Sequence, residues 1–196
     1  MARVISPVRC FPFRLLAAAV LLTITLAAAQ TPQPKREPDV PYVPTTEEAV
    51  TAMLKLAGVT RSDVVYDLGC GDGRIVIAAA KTYGARGVGI DINPVRISEA
   101  KANAKKAGVE SLVRFEENDL FLADVKDATV VTLFLLNSVN LKLRPKLLAE
   151  LKPGTRIVSN TFDMGDWAPE KEFNVPTTDE EAFLSRKLFL WTVPKR

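Results

Sequence analysis

Residues 64–75 read Val-Val-Tyr-Asp-Leu-Gly-Cys-Gly-Asp-Gly-Arg-Ile, and the fold prediction starts from this segment. A short apolar run leads to an acid, Asp67, and glycines follow at every second position before a helical pattern begins. The pattern predicts a strand, a tight turn and a helix, because glycine allows positive φ and leaves no Cβ between the backbone and a ligand. The free N–H groups of the first helical turn would face the same place. We therefore expect this turn to form the floor of a ligand pocket.

The spacing of the glycines separates two kinds of ligand. The order Asp67-x-Gly69-x-Gly71-x-Gly73 differs from Gly-x-Gly-x-x-Gly, the dinucleotide-binding pattern that ends at a pyrophosphate. Here an acid stands beside the glycines at the end of the strand. An acid in that position suits a ligand with an ammonium group, such as the methionyl part of S-adenosylmethionine (SAM). The alternative is an ordinary glycine-rich turn between a strand and a helix.

Strand-like and helix-like segments alternate along the rest of the chain. The first helix is predicted to begin with a capping box from Thr45 to Glu48 and to end at Gly58. Strands are predicted at residues 64–68, 87–91, 112–115, 128–136 and 156–159, with one or two more within 182–193, and further helices at 73–83, 94–107 and 141–151. This alternation predicts an α/β fold with a parallel sheet and helices on both faces. In such sheets a ligand binds at the carboxyl ends of the strands.

Three acids lie at or just beyond predicted strand ends: Asp67, Asp91 and Asp119. Asp91 could accept hydrogen bonds from both hydroxyls of a ribose, or it could cap the following helix. Asp119 could accept from an adenine amino group, with Leu120 or Phe121 against the face of the ring, or it could cap a short helix. The sequence therefore predicts one pocket at one edge of the sheet.

Charge and composition exclude several classes of function. The chain has 196 residues, 26 of them Lys or Arg and 23 Asp or Glu; three of the basic residues and no acid fall within residues 1–29, so the remainder is formally neutral. We therefore expect no nucleic-acid partner. Histidine is absent, which excludes histidine bases and Ser-His-Asp triads. The cysteines are Cys10 and Cys70, so no cysteine cluster exists and we predict no metal site; Cys70 is expected to be a small buried residue.

The first 44 residues differ in composition from the rest. Residues 1–14 carry three arginines, residues 15–29 are almost wholly apolar, and Ala27-x-Ala29 offers a small-residue cleavage site. This arrangement predicts a signal peptide or an uncleaved membrane anchor at residues 1–29, and so an exported or membrane-tethered protein. A cytosolic domain is the alternative. Residues 30–44 form a proline-rich linker, and residues 45–196 form the domain. The end of the linker either packs on the domain as a tether or forms a lip over the cofactor.

Several motifs resemble those of a known family. Residues 67–73, 89–94 and 118–121 resemble successive cofactor motifs of the class I, seven-strand SAM-dependent methyltransferases. Residues 40–170 are similar to the small protein-lysine methyltransferases typified by the mitochondrial ATP-synthase c-subunit lysine methyltransferase and its bacterial relatives. The resemblance implies a single Rossmann-like, doubly wound, mostly parallel seven-stranded sheet. It also implies SAM as cofactor.

The resemblance assigns residues to two sides of the site. The cofactor candidates, with their neighbours, are Tyr42, Thr45, Asp67, Gly69, Cys70, Gly71, Asp91, Ile92, Asn118, Asp119 and Leu120. The acceptor-side candidates are Leu135, Leu136, Asn137 and Trp167. Residues 134–138 read Phe-Leu-Leu-Asn-Ser, where enzymes that methylate planar amide or base nitrogens have Asn-Pro-Pro-Tyr. The expected substrate is a protein lysine. A small-molecule acceptor and a SAM-binding module without turnover are the alternatives, and glycine spacing disfavours a nicotinamide-dependent oxidoreductase.

Overall fold

The computed structural model describes residues 1–2, 36–176 and 187–195. The chain divides into two units, Met1–Gln30 and Thr31–Arg196. Except for Met1 and Ala2, the expected leader lies outside the described residues, as do residues 30–35 of the linker and residues 182–186 of the final predicted strand region. Within the described ranges, no helix has the length and apolar character needed to cross a membrane.

Helices and strands alternate through the described part of the second unit. In chain order they are α1 Glu47–Leu56, β1 Val64–Leu68, α2 Arg74–Tyr83, β2 Arg86–Asp91, α3 Pro94–Ala107, β3 Val113–Glu117, β4 Val130–Leu133, α4 Asn137–Glu150, β5 Arg156–Asn160, β6 Lys171–Asn174 and β7 Lys187–Thr192.

The strands form one seven-stranded sheet in the order β3-β2-β1-β4-β5-β7-β6. Strands β1 to β5 pair in parallel, while β7 runs antiparallel to both of its neighbours. The chain moves outward from β1 through β2 to β3 and then returns to the other side of β1. The point of reversal between β1 and β4 is where ligands bind in doubly wound sheets. The predicted fold class is confirmed.

A hydrophobic core lies on each face of the sheet. On β1, Val65 packs with the buried residues of α1, α2 and α3. Tyr66 and Leu68 of the same strand point to the other face and pack with Val139, Leu143 and other buried residues of α4. This alternation follows from the two-residue period of a strand. Since both faces are covered, β1 is buried at every position, and its carboxyl end is left as the place where a ligand can approach.

Four predicted boundaries differ from the structure. The cap of α1 is Thr46, not Thr45: Thr46 Oγ1 accepts a hydrogen bond from the backbone N–H of Ala49 at 3.3 Å. Strand β4 is shorter than predicted because the chain leaves the sheet after Leu133. Helix α4 begins at Asn137, four residues early, without a side-chain cap to mark it. Strand β6 lies where the sequence predicted a loop. The sequence did not predict this strand, because all four of its residues are exposed and only its pairing with β7 defines it.

Candidate functional site

The glycine turn is fixed by hydrogen bonds to the neighbouring strand. The backbone N–H groups of Gly69 and Cys70 both donate to the carbonyl of Ile90 in β2, at 2.8 and 2.9 Å. The glycines at 69, 71 and 73 all have positive φ. At Gly71 a Cβ would lie 2.4 Å from Cε2 of Tyr42. Glycine is required here for its conformation and because an aromatic ring lies against the backbone.

A cavity of about 400 Å³ lies at the carboxyl ends of β1 to β4. All of the predicted cofactor residues line it: Tyr42, Thr45, Asp67, Gly69, Cys70, Gly71, Asp91, Ile92, Asn118, Asp119 and Leu120. The sequence thus predicted which residues come together, although the cofactor contact of each remains a prediction. The volume falls within the range of small-molecule sites, roughly 300–1,000 Å³.

Asp91 is held in the cavity by two backbone donors. Its Oδ2 accepts from the N–H of Gly71 at 2.9 Å, and its Oδ1 accepts from the N–H of Asn93 at 2.9 Å. The cap of α3 is Asn93, whose side chain accepts from the N–H of Val95. The alternative prediction that Asp91 caps this helix is therefore wrong. Each carboxylate oxygen retains capacity for a further hydrogen bond, as the ribose hypothesis requires.

Asp119 has two roles at once. Its Oδ1 accepts from the N–H of Phe121 at 2.9 Å and so caps the turn that follows β3. The alternative prediction of a capped short helix at this place is wrong, because residues 120–123 form a turn and not a helix. The Oδ2 of Asp119 accepts from Nε of Arg36 at 2.9 Å. The ion pair has exposed side-chain fractions of 39% for Arg36 and 19% for Asp119, so solvent and a ligand can compete for it. A ligand amino group would meet a carboxylate that is already oriented.

Asp67 is the buried acid of the site. Its side chain is enclosed at the end of β1, and Thr132 Oγ1 in β4 donates to its Oδ1 at 2.7 Å. Burial raises the pKa of Asp67 to about 7; the negative charges of Asp91 and Asp72 add to this, and the Thr132 hydrogen bond opposes it. A carboxyl with this pKa is partly protonated at neutral pH. A cation brought next to it would favour the ionised form.

Cys70 is buried beneath the turn, as predicted. Burial raises the pKa of its thiol, and the negative charge of Asp67 adds to this shift. A nucleophilic cysteine needs the opposite shift, toward the thiolate. Cys70 therefore contributes shape rather than reactivity.

Residues 36–45, here called the strap, line the cavity along their whole length. The strap is attached through Arg36 to Asp119, and through the carbonyl of Thr45, which accepts from the guanidinium of Arg74 at 2.7 Å. Between them, the ring of Tyr42 lies 4.1 Å from the guanidinium carbon of Arg96. The sequence left a tether and a lip as alternatives, and the structure places the segment beside the cavity.

The acceptor-side candidates do not all reach the cavity. Leu135 lines it, whereas Leu136 is exposed and precedes α4. Asn137 Nδ2 donates to Asp163 Oδ1 at 2.7 Å. Trp167 is not among the lining residues and packs instead on Trp191, with ring centroids 6.0 Å apart. The contact with Trp191 in β7 could not be predicted from the local sequence, and the acceptor-side role of Trp167 stays a prediction.

Sequence reasoning did not assign several of the lining residues to the site, Arg36 and Phe134 among them. Phe134 directly follows the buried run of β4 and precedes Leu135, so its position at a strand end was a usable signal. Arg36 carries no such signal, because its partner Asp119 is 83 residues away.

A sequence model of the ANTKMT methyltransferase domain matches residues 67–171, which is more than half of the chain. The chain belongs to this methyltransferase family. The family range includes the glycine turn and the three acids of the cavity. The chain is therefore a SAM-dependent methyltransferase, and SAM is its cofactor.

Named relatives of this methyltransferase agree on the reaction class. A protein-lysine N-methyltransferase of Saccharolobus islandicus is 46% identical over 157 residues, 80% of this chain and 95% of the relative. The lysine N-methyltransferase of the ATP synthase c-subunit from Xenopus laevis is 35% identical over 68% of this chain, but the match spans only 58% of that protein. A crystal structure described as an RNA methyltransferase from Salinibacter ruber, in complex with S-adenosyl-L-homocysteine, is 54% identical with a TM-score of 0.72, over 79% of this chain and 95% of that one.

The cavity of this methyltransferase fits the shape and charge of SAM. SAM presents an ammonium, a ribose diol and an adenine, and the cavity presents carboxylates at the ends of β1, β2 and β3. The turn has no side chain at Gly71, where the ring of Tyr42, another lining residue, lies against the backbone. An acid, rather than a row of free N–H groups, stands at the end of β1, which matches a cationic group and not a pyrophosphate.

Proposed function

We propose that this methyltransferase modifies the Nζ amine of lysine residues in proteins. The observation that carries the proposal is the apolar end of β4. Phe134 and Leu135 form the cavity wall where a polar clamp would be needed to hold a planar amide or base. The names of the Saccharolobus and Xenopus relatives support the same acceptor class.

The proposal gives a role to each of the three acids at the strand ends. Asp67 pairs with the ammonium of SAM, Asp91 accepts from the ribose hydroxyls, and Asp119 accepts from the adenine amino group. Their positions at three successive strand ends support this order, since β1, β2 and β3 are neighbours in the sheet. Leu120 and Ile92 supply apolar contact to the flat parts of the cofactor.

The chemistry asks little of the protein beyond positioning and desolvation. SAM supplies an activated methyl group: the new N–C bond uses the nitrogen lone pair, and the electrons of the broken C–S bond stay on sulfur. The lysine must be neutral when it attacks, so its proton leaves to solvent first. An apolar wall lowers the pKa of an amine and favours this loss. Phe134, Leu135 and Val139 provide such a wall, and no histidine base is needed.

RNA is the second candidate substrate, because the Salinibacter structure is described as an RNA methyltransferase. The charge of this chain disfavours it. Beyond residue 29 the basic and acidic residues balance, whereas RNA-binding surfaces carry an excess of Lys and Arg.

The test offers both substrates to the full chain with methyl-labelled SAM. We expect label in protein, located on lysine by mass spectrometry of the digested product, and none in RNA. Label in RNA alone would overturn the proposal, and label in neither would favour a small-molecule acceptor or a binding module.

The Asp91→Ala variant tests whether Asp91 binds the ribose of SAM. Losing a charge-assisted acceptor should weaken SAM binding roughly 10- to 150-fold. Asp127→Ala is its control, because Asp127 is 83% exposed and its nearest cation is 3.8 Å away. Unchanged SAM affinity in a folded Asp91→Ala protein would contradict the proposal that Asp91 binds the ribose.

We further propose that residues 1–29 direct the protein out of the cytosol, either as a cleaved signal or as a membrane anchor. The arginine-rich start, the apolar run and the Ala27-x-Ala29 site support this. Since SAM is made in the cytosol, the proposal requires a separate supply of cofactor.

A further inference from the structure

The chain makes a strained turn directly after β5. Thr161 has φ 69°, a left-handed conformation that is rare for a β-branched residue. The N–H of Phe162 donates to the carbonyl of Asn160 at 2.8 Å, so Thr161 is the centre of a three-residue γ-turn of the uncommon, positive-φ hand. Such conformations persist where the surrounding structure enforces them, and they cluster at ligand sites.

Buried side chains enforce this turn. Ser159 Oγ donates to the carbonyl of Phe162 at 2.6 Å. Asn140 Nδ2, on α4, donates to the carbonyls of Phe162 and Asp163, both at 3.2 Å. Asn140 and Ser159 are fully buried, so their hydrogen bonds do not compete with water. The turn is thus held from α4 as well as from β5.

The turn places a ring against a residue of the cavity wall and a carboxylate beside the start of α4. The ring of Phe162 stacks on that of Phe134, with centroids 6.4 Å apart and planes 27° from parallel, and Phe134 lines the cavity. The next residue, Asp163, uses Oδ1 to accept from Asn137 Nδ2 at 2.7 Å and from the N–H of Gly165 at 3.0 Å. These contacts fix the carboxylate beside the start of α4.

We propose that Phe134, Phe162 and Asp163 form the entrance for the acceptor lysine. The two rings provide its apolar wall and Asp163 the counter-charge for the arriving ammonium. Aromatic faces and carboxylates are the two groups that attract an ammonium in proteins. Asn140 is a positioning residue that acts through the turn. The inference rests on the proposed lysine substrate and concerns binding of the protonated side chain, before the proton leaves to solvent.

The test measures binding of two peptides to the full chain loaded with S-adenosylhomocysteine. One peptide contains lysine and the other has norleucine in its place, which removes the charge but keeps the length. Calorimetry should show that the wild-type protein prefers the lysine peptide. Asp163→Asn should lose about tenfold or more of that preference, as expected for a charge-assisted contact. The asparagine oxygen can still accept from Asn137 and Gly165, so the loop should keep its shape.

Asp166→Asn is the matched control on the same loop. Asp166 is 88% exposed and pairs with Arg144, so its loss should leave the preference unchanged. Phe162→Leu tests the ring: we expect a higher KM for the lysine peptide with little change in kcat. Phe173→Leu, an exposed phenylalanine on β6, is its control. Affinity for S-adenosylhomocysteine should be the same in all four variants.

Two results would contradict the inference but leave the proposed function intact. In the first, the protein methylates lysine and Asp163→Asn keeps the wild-type preference for the lysine peptide. In the second, Asp163→Asn loses affinity for S-adenosylhomocysteine together with its preference for the lysine peptide. A wild-type protein that binds neither peptide and methylates only RNA would overturn the proposed function, and the inference with it.

Discussion

At the scale of single residues, the acids of the cavity differ because their surroundings differ. Asp67 is enclosed at the end of β1 and has one hydroxyl donor, Thr132. Asp91 is oriented by two backbone N–H groups, and Asp119 by one N–H group and Arg36. Burial without a compensating cation leaves Asp67 with a raised pKa, and SAM would supply that cation.

The first prediction concerns the pH dependence of SAM binding. With a pKa of about 7, Asp67 loses its charge as the pH falls below neutrality. SAM affinity should therefore be level above pH 7 and fall by up to about tenfold for each pH unit below it. Calorimetry across the pH range measures this. In Asp67→Asn the affinity should be lower and its dependence on pH much flatter; an equally steep profile in that variant would assign the titration to another group.

The same raised pKa affects the stability of the cofactor-free protein. The folded state holds a proton on Asp67 that the unfolded state, with a carboxyl pKa of about 4, releases. Asp67 therefore contributes stability at low pH that is lost as the pH rises toward 7. Chemical denaturation of wild type and Asp67→Asn should show the free energy of unfolding converging at low pH and diverging, in favour of Asn, near pH 7.

The second prediction concerns Gly71. An added Cβ would strain a φ of 52° and displace the ring of Tyr42. Gly71→Ala should thus push the strap off the cavity and weaken SAM binding by at least about tenfold, or about 1.4 kcal/mol. Gly154→Ala is the matched control, because its φ is 87° but nothing lies within 4 Å of the added Cβ. Both variants should lose about 1–2 kcal/mol of stability. Normal SAM affinity in Gly71→Ala would make the turn purely structural.

At the scale of elements, the strap is held by polar contacts and by Val40, which packs against the hydrophobic core on the α4 face of the sheet. Tyr42 and Val43 are exposed, and the ion pair of Arg36 with Asp119 is reachable by water. Segments held in this way open at low energetic cost. The strap therefore suits the admission and retention of a cofactor in a way that a packed helix would not.

The third prediction tests this attachment. Arg36→Gln removes the ion pair to Asp119, so S-adenosylhomocysteine should dissociate faster, by up to about fivefold, as expected for an exposed pair worth up to about 1 kcal/mol. Stopped-flow dissociation measures it, and high salt should bring wild type toward the variant. Arg114→Gln is the control, since Arg114 pairs with Glu116 on β3 and does not line the cavity. If both variants accelerate dissociation equally, the ion pair of Arg36 with Asp119 has no specific role in retaining the cofactor.

At the scale of the whole molecule, the leader and the domain point to different cellular locations. Residues 1–29 carry the features of an export signal, while the domain uses SAM. We expect the leader to decide the location, because a hydrophobic segment acts on the translocation machinery whatever the domain needs. The arginines would keep the N-terminus inside and send the domain out.

The fourth prediction is therefore export. A reporter active only in the cytosol, fused after Arg196, should be inactive when residues 1–29 are present and active when they are removed. Fusion of residues 1–29 alone to a second reporter, active only outside the cytosol, gives the reciprocal measurement. Strong cytosolic activity with the leader attached would show that the domain stays inside.

Local sequence patterns were enough to predict the centre of the fold and the residues that line the cavity. The apolar run of β1, the glycines after it and the acids at strand ends are local patterns, and local patterns specify strands, turns and helix starts. Because parallel strands place their carboxyl ends at one edge, these patterns also predicted that Asp67, Asp91 and Asp119 would meet. Every predicted cofactor residue lines the cavity for this reason.

Contacts between distant parts of the chain could be found only in the folded molecule. The pairing of Arg36 with Asp119, the stacking of Phe162 on Phe134 and the place of Trp167 against Trp191 join residues whose separation in sequence carries no periodic signal. Strand β6 was missed because its residues are all exposed and its partner strand defines it. The raised pKa of Asp67 belongs to the same class, since burial is a property of the packed molecule and not of the residue.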